Sequence, residues 1–531
     1  MSTSISPVET ISDHERHFLG RFVTNTDGPV FCLVNLPEVV KGALFARYSR
    51  SRLPLRRLML DEFRSDLESA AAINTSDHQL HSEALYKRIF SEYGDDSVAQ
   101  LGSVHVACEG FSNIAIKVLE RGRLMSYLEQ STRYIPYTDR PGGRWKYHVP
   151  AELQGGVRRQ YVEALDRLFA TYADFIPAIQ THLLSKVSAV DAADPAIRRA
   201  IRARSLDVAR GLLPAATRSN VGIHGSGHAF EQLLVRLRAS DNQEVQYAGS
   251  LLLTELRKVM PAFVSRVDRP ERGVAWSQYL KDTRREFETV ARRVAIDLRQ
   301  GSPIEDARVE LVEFDPEAEK KVLAAALYVA SDSSEAAILR TIDDMTEEQR
   351  SNLLRLYVGD RMNRRQKPGR ALERSSYTFD IVGDYGSFRD LQRHRMMSIE
   401  WQPLGMNLGF DLPELVSEAG LESSWREAMA VAGSVYDRIL TYCGPDISCY
   451  AVPLAFRVRY YMHLNARELM HIAELRSSPQ GHENYRDIVL RMVDLIRSQA
   501  RHGVLADAMS FVDRRSPLLG RCEAEKRGDP R

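Results

Sequence analysis

The sequence predicts a helix-rich α+β protein built from two tandem copies of one fold. Three observations predict it. A short apolar strand followed by a Pro-Glu step and an Ala/Leu-rich helix occurs twice, as VFCLVNLPEVVKGALFARYS and VELVEFDPEAEKKVLAAALYVAS. Two further echoes follow in the same order, ERGRLMS with QRHRMMS, then LLPAATRSN…VRLRAS with YAVPLAFRV…AELRSS. Long stretches with helical periodicity and few breakers fill the intervals.

The elements follow in order. Pro37 and Pro316 stand at corresponding helix entries, where proline and an acidic residue suit the first turn. Arg121 then corresponds to Arg393, Pro214 to Pro453, and Arg238 to Arg476. The last intervals are shorter in the second copy, so the first carries extra residues, placed within 138–205. Helices are predicted over 154–204, 245–300, 421–441 and 484–502, and a strand at SYTFDIV. The junction is expected near 296–306, where Gly and Pro in LRQGSPIEDAR interrupt the helical pattern. The predicted domains are therefore 1–300 and 301–531.

Composition narrows the function. With 72 basic and 71 acidic residues among 531, net charge is +1, which argues against nucleic acid as the main partner. Five cysteines, an odd number without a CxxC pair, argue against a disulfide framework or a zinc knuckle, and no metal site is predicted. The N-terminus lacks an apolar signal core, and no apolar run approaches the ~18 residues of a membrane span. A soluble, cytoplasmic protein is expected.

Three clusters carry chemistry. RGRLMSYLEQSTRY offers Arg121, Arg123, Glu129, Ser131 and Arg133 in a short span, with guanidinium groups suited to bidentate phosphate contacts. LQRHRMMSIEWQP carries Arg393, His394 and Arg395 in succession. In YAVPLAFRVRYYMHLNARELMHIAELRSS, Asn465, Arg467, His471, Glu474 and Arg476 interleave with apolar residues, and Arg467 and His471 share a helix face at i, i+4. Taken singly, each cluster also fits a solvated, salt-bridged surface.

Together they resemble the flavin-dependent thymidylate synthases, whose signature has the form RHR-x-x-S-x-N-E-x-S-x-R-Y. Arg121, Arg123, Ser126, Glu129, Ser131, Arg133 and Tyr134 fall in register with it, with Gly122 and Leu128 departing. The second copy keeps Arg393, His394, Arg395 and Ser398, then departs at Glu400, Trp401, Pro403, Gly405 and Met406. The family's later L-P, N-A-R-x-L-x-N and L-R pattern is similar to Pro453, Asn465, Ala466, Arg467, Leu469, His471, Leu475 and Arg476. The first copy keeps Arg210, Pro214 and Arg238, with GSGHAF in place of N-A-R, and KPGRALERSSYTFDI departs from an upstream family block at Pro368, Gly369 and Arg370. The resemblance spans about 28–260 and 308–502.

The resemblance implies reductive C5-methylation of dUMP with FAD, NADPH and methylenetetrahydrofolate. It implies a nucleotide side in the first copy, Arg121, Glu129, Ser131, Arg133 and Arg210, and a flavin side in the second, Arg393, His394, Arg395, Asn465, Arg467 and His471. Arg476 and Arg238 take the position of the arginine that assists ionisation of uracil. Sites composed of both copies are expected, in a homodimer that mimics the family's tetramer. Methylation of another uridine nucleotide, and a catalytically decayed binding protein of the same fold, are the alternatives.

Overall fold

Two antiparallel four-stranded sheets with the same strand order organise the protein. In the computed structural model, described over residues 11–73, 100, 102–298, 308–520 and 522, β1 (Val30–Leu33), β2 (Ser103–Ser112), β3 (Met125–Glu129) and β4 (Arg218–Ser226) assemble as β1-β2-β4-β3. The strands β5 (Val309–Phe314), β6 (Ser376–Asp384), β7 (Met397–Trp401) and β8 (Arg457–Asn465) assemble as β5-β6-β8-β7. Each sheet draws its strands from one predicted copy, and both echo the helix entry after the first strand, with helix α1 (Glu38–Tyr48) after β1 and helix Ala318–Tyr328 after β5. The strand predicted at SYTFDIV is β6. The predicted junction lies mostly outside the described residues.

The chain divides into two compact units whose segments alternate along the sequence. The first comprises residues 1–174, 212–303 and 426–452, and the second 175–211, 304–425 and 453–531.

In the first unit, one face of the sheet buries Val104, Val106, Val221 and Ile223 against α3 (Gly227–Ala239) and α4 (Gln243–Val259), through Phe230, Leu233, Leu237, Leu252 and Leu256. The opposite face packs Phe31, Leu33 and Ala107 on Leu44, Phe45 and Leu58. Full burial of such side chains contributes roughly 1.5–3 kcal/mol each. Between β2 and β3 runs α2 (Asn113–Leu119), capped by the Ser112 side chain.

In the second unit, β6 and β8 alternate strictly. Tyr377, Phe379, Ile381, Val458, Tyr460, Met462 and Leu464 are buried, while Thr378, Asp380, Arg459, Tyr461 and His463 occupy the opposite face. Three helices complete the frame of the site: α5 (Tyr385–Leu391), α6 (Ala466–Arg476) and α7 (Glu483–Ser498). Ser226 caps α3 by accepting from Ala229 N, and Asn465 caps α6 by accepting from Glu468 N. The GSGH stretch of the first copy thus replaces N-A-R without losing the helix start.

Two of the predicted helices are divided. The 154–204 segment forms Gly155–Ser185, the short Ala189–Ala193 and Pro195–Ala209, with Asp194 capping the last and Pro195 in its first turn. The 245–300 segment breaks at Met260, where Pro261 opens a short new turn before helix Ala275–Leu298. The 421–441 and 484–502 predictions appear as Glu422–Cys443 and α7.

The two sheets also share register. One rung of the first reads Leu33, His105, His224, Ser126 across β1, β2, β4 and β3. The corresponding rung of the second reads Glu313, Thr378, His463, Ser398 across β5, β6, β8 and β7. Both end on the serine of the first signature block.

Candidate functional site

In the first unit the signature runs through the turn after α2 and along β3. Arg121, Arg123 and Ser126 are exposed. The turn is folded back by Tyr127, whose hydroxyl donates to the Gly122 carbonyl at 3.0 Å. A Cβ at Gly122 would lie 2.6 Å from Tyr127 Oη and 3.0 Å from Met125 Sδ, so the histidine of the family signature would have to displace these two side-chain ends. Pleating separates the remaining residues. Ser126 stands opposite His224, whereas Glu129 is buried and pairs with Lys117, whose Nζ lies 3.4 Å from Glu129 Oε2 and 2.5 Å from Glu120 Oε2. A carboxylate without water needs such a cation. Beyond β3, Ser131 Oγ accepts from Arg133 N at 3.2 Å, and the half-buried Arg133 guanidinium lies 5.6 Å from the Tyr134 ring centroid.

Arg238 ends α3. Its Nη1 donates to the Val267 carbonyl and its Nη2 to Asp268 Oδ1, both at 2.5 Å, and Arg257 pairs with the same carboxylate. Arg210 belongs to the second unit. It is buried, with Nη1 3.1 Å from Asp390 Oδ2 and Nε 3.6 Å from Asp207 Oδ1. Its charge is balanced by these two carboxylates.

The second unit holds the residues expected on a flavin side. The turn between α5 and β7 exposes Arg393 and Arg395 and buries His394. Arg476, at the end of α6, donates through Nε to His394 Nε2 at 2.9 Å and through Nη2 to the Asp390 carbonyl at 2.7 Å. Because His394 Nε2 accepts, the neutral ring carries its proton on Nδ1, which lies 3.4 Å from Glu468 Oε1. Burial, with Arg476 and Lys367 beside it, holds His394 well below the ordinary imidazole range. His471 packs edge-on against it at 5.5 Å between centroids and is lowered to about 4, chiefly by burial and then by Lys367. Burial raises the Glu468 carboxyl, against His471, Lys367, Arg467 and Arg395.

Arg467 donates through Nε to the Pro368 carbonyl at 3.0 Å, and its Nη1 lies 3.4 Å from Glu373 Oε1. It therefore ties the KPG segment to α6. Asn465 spends its side-chain oxygen on the helix cap, 2.9 Å from Glu468 N.

His394, Glu468 and His471 present ligand atoms within 4.8 Å of one another, a three-donor set for a cation. However, Arg476 already donates to His394, and Lys367, Arg395 and Arg467 act on Glu468. This surrounding charge favours an anion over a divalent cation.

Glu468 and Lys367 are site residues that the motif reading missed. Glu468 was detectable, since it precedes His471 by three positions on one helix face. Lys367 reaches the cluster through the chain path between Ala318–Tyr328 and β6, which local sequence does not specify.

The fold and this cluster define a duplicated α+β protein with a gathering of cationic and imidazole side chains in its second unit. The family model for the thymidylate synthase complementing protein matches residues 50–262 and 310–500, and the chain belongs to that family. It is 37% identical to a UPF0159 protein of Chlamydia muridarum over 97% of this chain and 98% of the relative, and 33% identical to one of Thermoplasma acidophilum over 92% and 98%. It is 31% identical to a flavin-dependent thymidylate synthase of Mycobacterium tuberculosis over 34% of this chain and 68% of the relative. A solved UMP/dUMP methylase PolB from Streptomyces cacaoi aligns at TM-score 0.32 and 20% identity, over 39% of this chain and 96% of its own. Among the described residues no helix is long and apolar enough to cross a membrane.

Proposed function

We propose that the chain is a flavin-dependent methyltransferase acting at C5 of a pyrimidine nucleotide, dUMP in the first instance. The co-substrates in this reading are methylenetetrahydrofolate and NADPH. Family membership supports it, and one observation carries it: Arg476, His394, His471, Arg467, Arg395 and Lys367 gather around the start and end of α6 in the second unit. That donor set fits an anionic dinucleotide such as FAD, with guanidinium and ammonium groups for the pyrophosphate and imidazoles for the ring system. Bound flavin supplies the hydride chemistry.

The protein's own groups bind and orient. Arg476, held by His394 and the Asp390 carbonyl, is a preorganised donor for negative charge developing on a pyrimidine ring. Arg121, Arg123 and Arg133 of the first unit supply charge for a nucleotide phosphate. A homodimer is part of this reading. The exposed apolar side chains Trp276, Tyr279, Phe287, Val290 and Val294 on helix Ala275–Leu298 give it surface to bury.

A second reading, a nucleotide- or flavin-binding protein without turnover, is favoured by the engagement of Arg238 with Asp268 and of Glu129 with Lys117. The deciding experiment is purification followed by identification of heat-released small molecules, with conversion of dUMP to dTMP assayed in parallel. Oxidised flavin shows as absorbance near ~450 nm. Flavin with turnover supports the enzyme, and flavin or nucleotide without turnover supports the binder. Release of neither, with no turnover on added FAD, rejects both.

A further inference from the structure

The rung Glu313, Thr378, His463, Ser398 crosses the whole second sheet on its polar face. Thr378 Oγ1 donates to Glu313 Oε2 at 3.1 Å and lies 2.9 Å from His463 Nδ1. A carboxylate only accepts, so the single hydroxyl proton of Thr378 is committed to Glu313. The hydroxyl must then accept from His463, which places that ring's proton on Nδ1. A neutral His463 consequently presents the lone pair of Nε2. The ring is half-buried and lies directly opposite Ser398, the serine of the RHR-x-x-S block.

The first unit repeats the plan with different parts. Leu33 occupies the β1 position of the rung, and the carboxylate comes from α1 instead, Glu38 Oε2 lying 3.7 Å from His105 Nδ1. His105 packs against His224 at 4.2 Å between centroids, with the rings tilted, and His224 stands opposite Ser126. A carboxylate, a bridging polar group and a histidine opposite the signature serine thus recur in both units. Their recurrence in unlike residues points to a shared role for the row.

We infer that Glu313 and Thr378 form a hydrogen-bond relay that fixes the tautomer of His463 and presents its Nε2 as an acceptor for the imide N–H of a bound heterocycle. Uracil and the flavin ring both carry such an N–H, and the ligand half of the inference rests on the proposed function. His463 is a positioning residue in this scheme. It orients the ring by one hydrogen bond and neither gains nor loses a proton.

The test has two arms, both on the full chain. In the first, the imidazole nitrogens of the 15N-histidine-labelled protein are observed at about pH 8, where an imidazole of ordinary basicity is neutral. His463, assigned by its loss in His463→Gln, is expected to be protonated on Nδ1. Thr378→Val is expected to shift it toward the other tautomer, and Thr378→Ser to restore it. In the second arm, FAD and dUMP are titrated separately into wild type, His463→Gln and His463→Phe. Glutamine keeps an acceptor near the Nε2 position and phenylalanine does not. His463→Phe is expected to weaken one ligand about tenfold, the worth of one hydrogen bond, while His463→Gln stays within about threefold. The ligand affected identifies the ring. Nε2 protonation in wild type, or a tautomer indifferent to Thr378→Val, overturns the relay. Equal binding of both ligands by wild type and both variants overturns the acceptor role. If wild type binds neither ligand, the acceptor role falls together with the proposed function, and the spectra alone decide the relay.

Discussion

Arg476 Nε sits 2.9 Å from His394 Nε2, joining the end of α6 to the turn before β7. The same guanidinium holds the Asp390 carbonyl at 2.7 Å, so two of its donors are aimed by separate elements. Lysine cannot reproduce that planar fork. Arg476→Lys is therefore expected to fold, with a melting temperature within a few degrees of wild type, and to lose about 10²–10³-fold in turnover of dUMP. Steady-state kinetics beside thermal unfolding checks this. Turnover within a factor of three of wild type would remove Arg476 from the chemistry.

Ligand binding should divide between the units. Arg395→Ala and Arg467→Ala are expected to lose flavin, read as cofactor content after purification. Arg121→Ala, Ser131→Ala and Arg133→Ala are expected to weaken dUMP in calorimetry, the arginine losses by roughly 1.5–3 kcal/mol for a charge-assisted contact. Arg467→Ala also releases the Pro368 carbonyl, so its flavin loss should exceed that of Arg395→Ala. Equal loss of both ligands from every variant would refute the division.

Much of this arrangement was legible in the sequence, and the limits have physical causes. Sequence patterning located β1, β5 and β6, the last through its alternation, but did not single out β2, β3, β4, β7 or β8, whose residues stand in motifs that mix strand with turn or helix. The i, i+4 spacing put Arg467 and His471 on one face of α6. Side-chain direction on β3 was not legible. A motif read as a string places Glu129 with Ser126, whereas their odd spacing on β3 puts them on opposite faces and turns Glu129 toward Lys117. Nor was the setting of Arg210 or Arg238, because the partners Asp390, Val267 and Asp268 are distant in sequence or belong to no motif.

Acid should destabilise the fold through histidines kept neutral. His105, packed on Phe45 and facing His224, Glu38 and Lys41, is lowered from 6.5 to about 4, chiefly by burial and then by His224. A depressed imidazole favours the native state above its unfolded value and loses that contribution as pH falls from 6.5 toward 4. Thermal unfolding followed across this window should show a falling midpoint, with a shallower slope in His105→Gln. An unchanged slope would place the acid sensitivity elsewhere.

Gly122, where the first signature departs from the family, sits against the ends of Tyr127 and Met125. Restoring the histidine puts a Cβ 2.6 Å from Tyr127 Oη. Gly122→His is expected to cost about 1–3 kcal/mol by overpacking. Tyr127→Phe in the same chain, which removes the crowding oxygen, should recover part of that loss. Denaturant melts of the two variants check it, and a Gly122→His protein as stable as wild type would show that the turn yields freely.

The buried trio Lys117, Glu120 and Glu129 gives the sharpest stability prediction. Lys117 Nζ lies 2.5 Å from Glu120 Oε2 and 3.4 Å from Glu129 Oε2, and each side chain is at most 3% exposed. Removing the cation leaves two carboxylates in a medium that solvates them poorly, so Lys117→Met is expected to destabilise by about 3–5 kcal/mol. The cause is uncompensated charge rather than lost packing, since methionine fills most of the lysine stem. Adding Glu129→Gln removes one of the two carboxylates facing the lost ammonium and should recover part of the loss, whereas Glu129→Gln alone should be mild because Glu120 still pairs with Lys117. Urea unfolding of the three variants measures the coupling directly. If the double variant is no more stable than Lys117→Met, Glu129 does not depend on Lys117, and its burial has to be explained by a different partner.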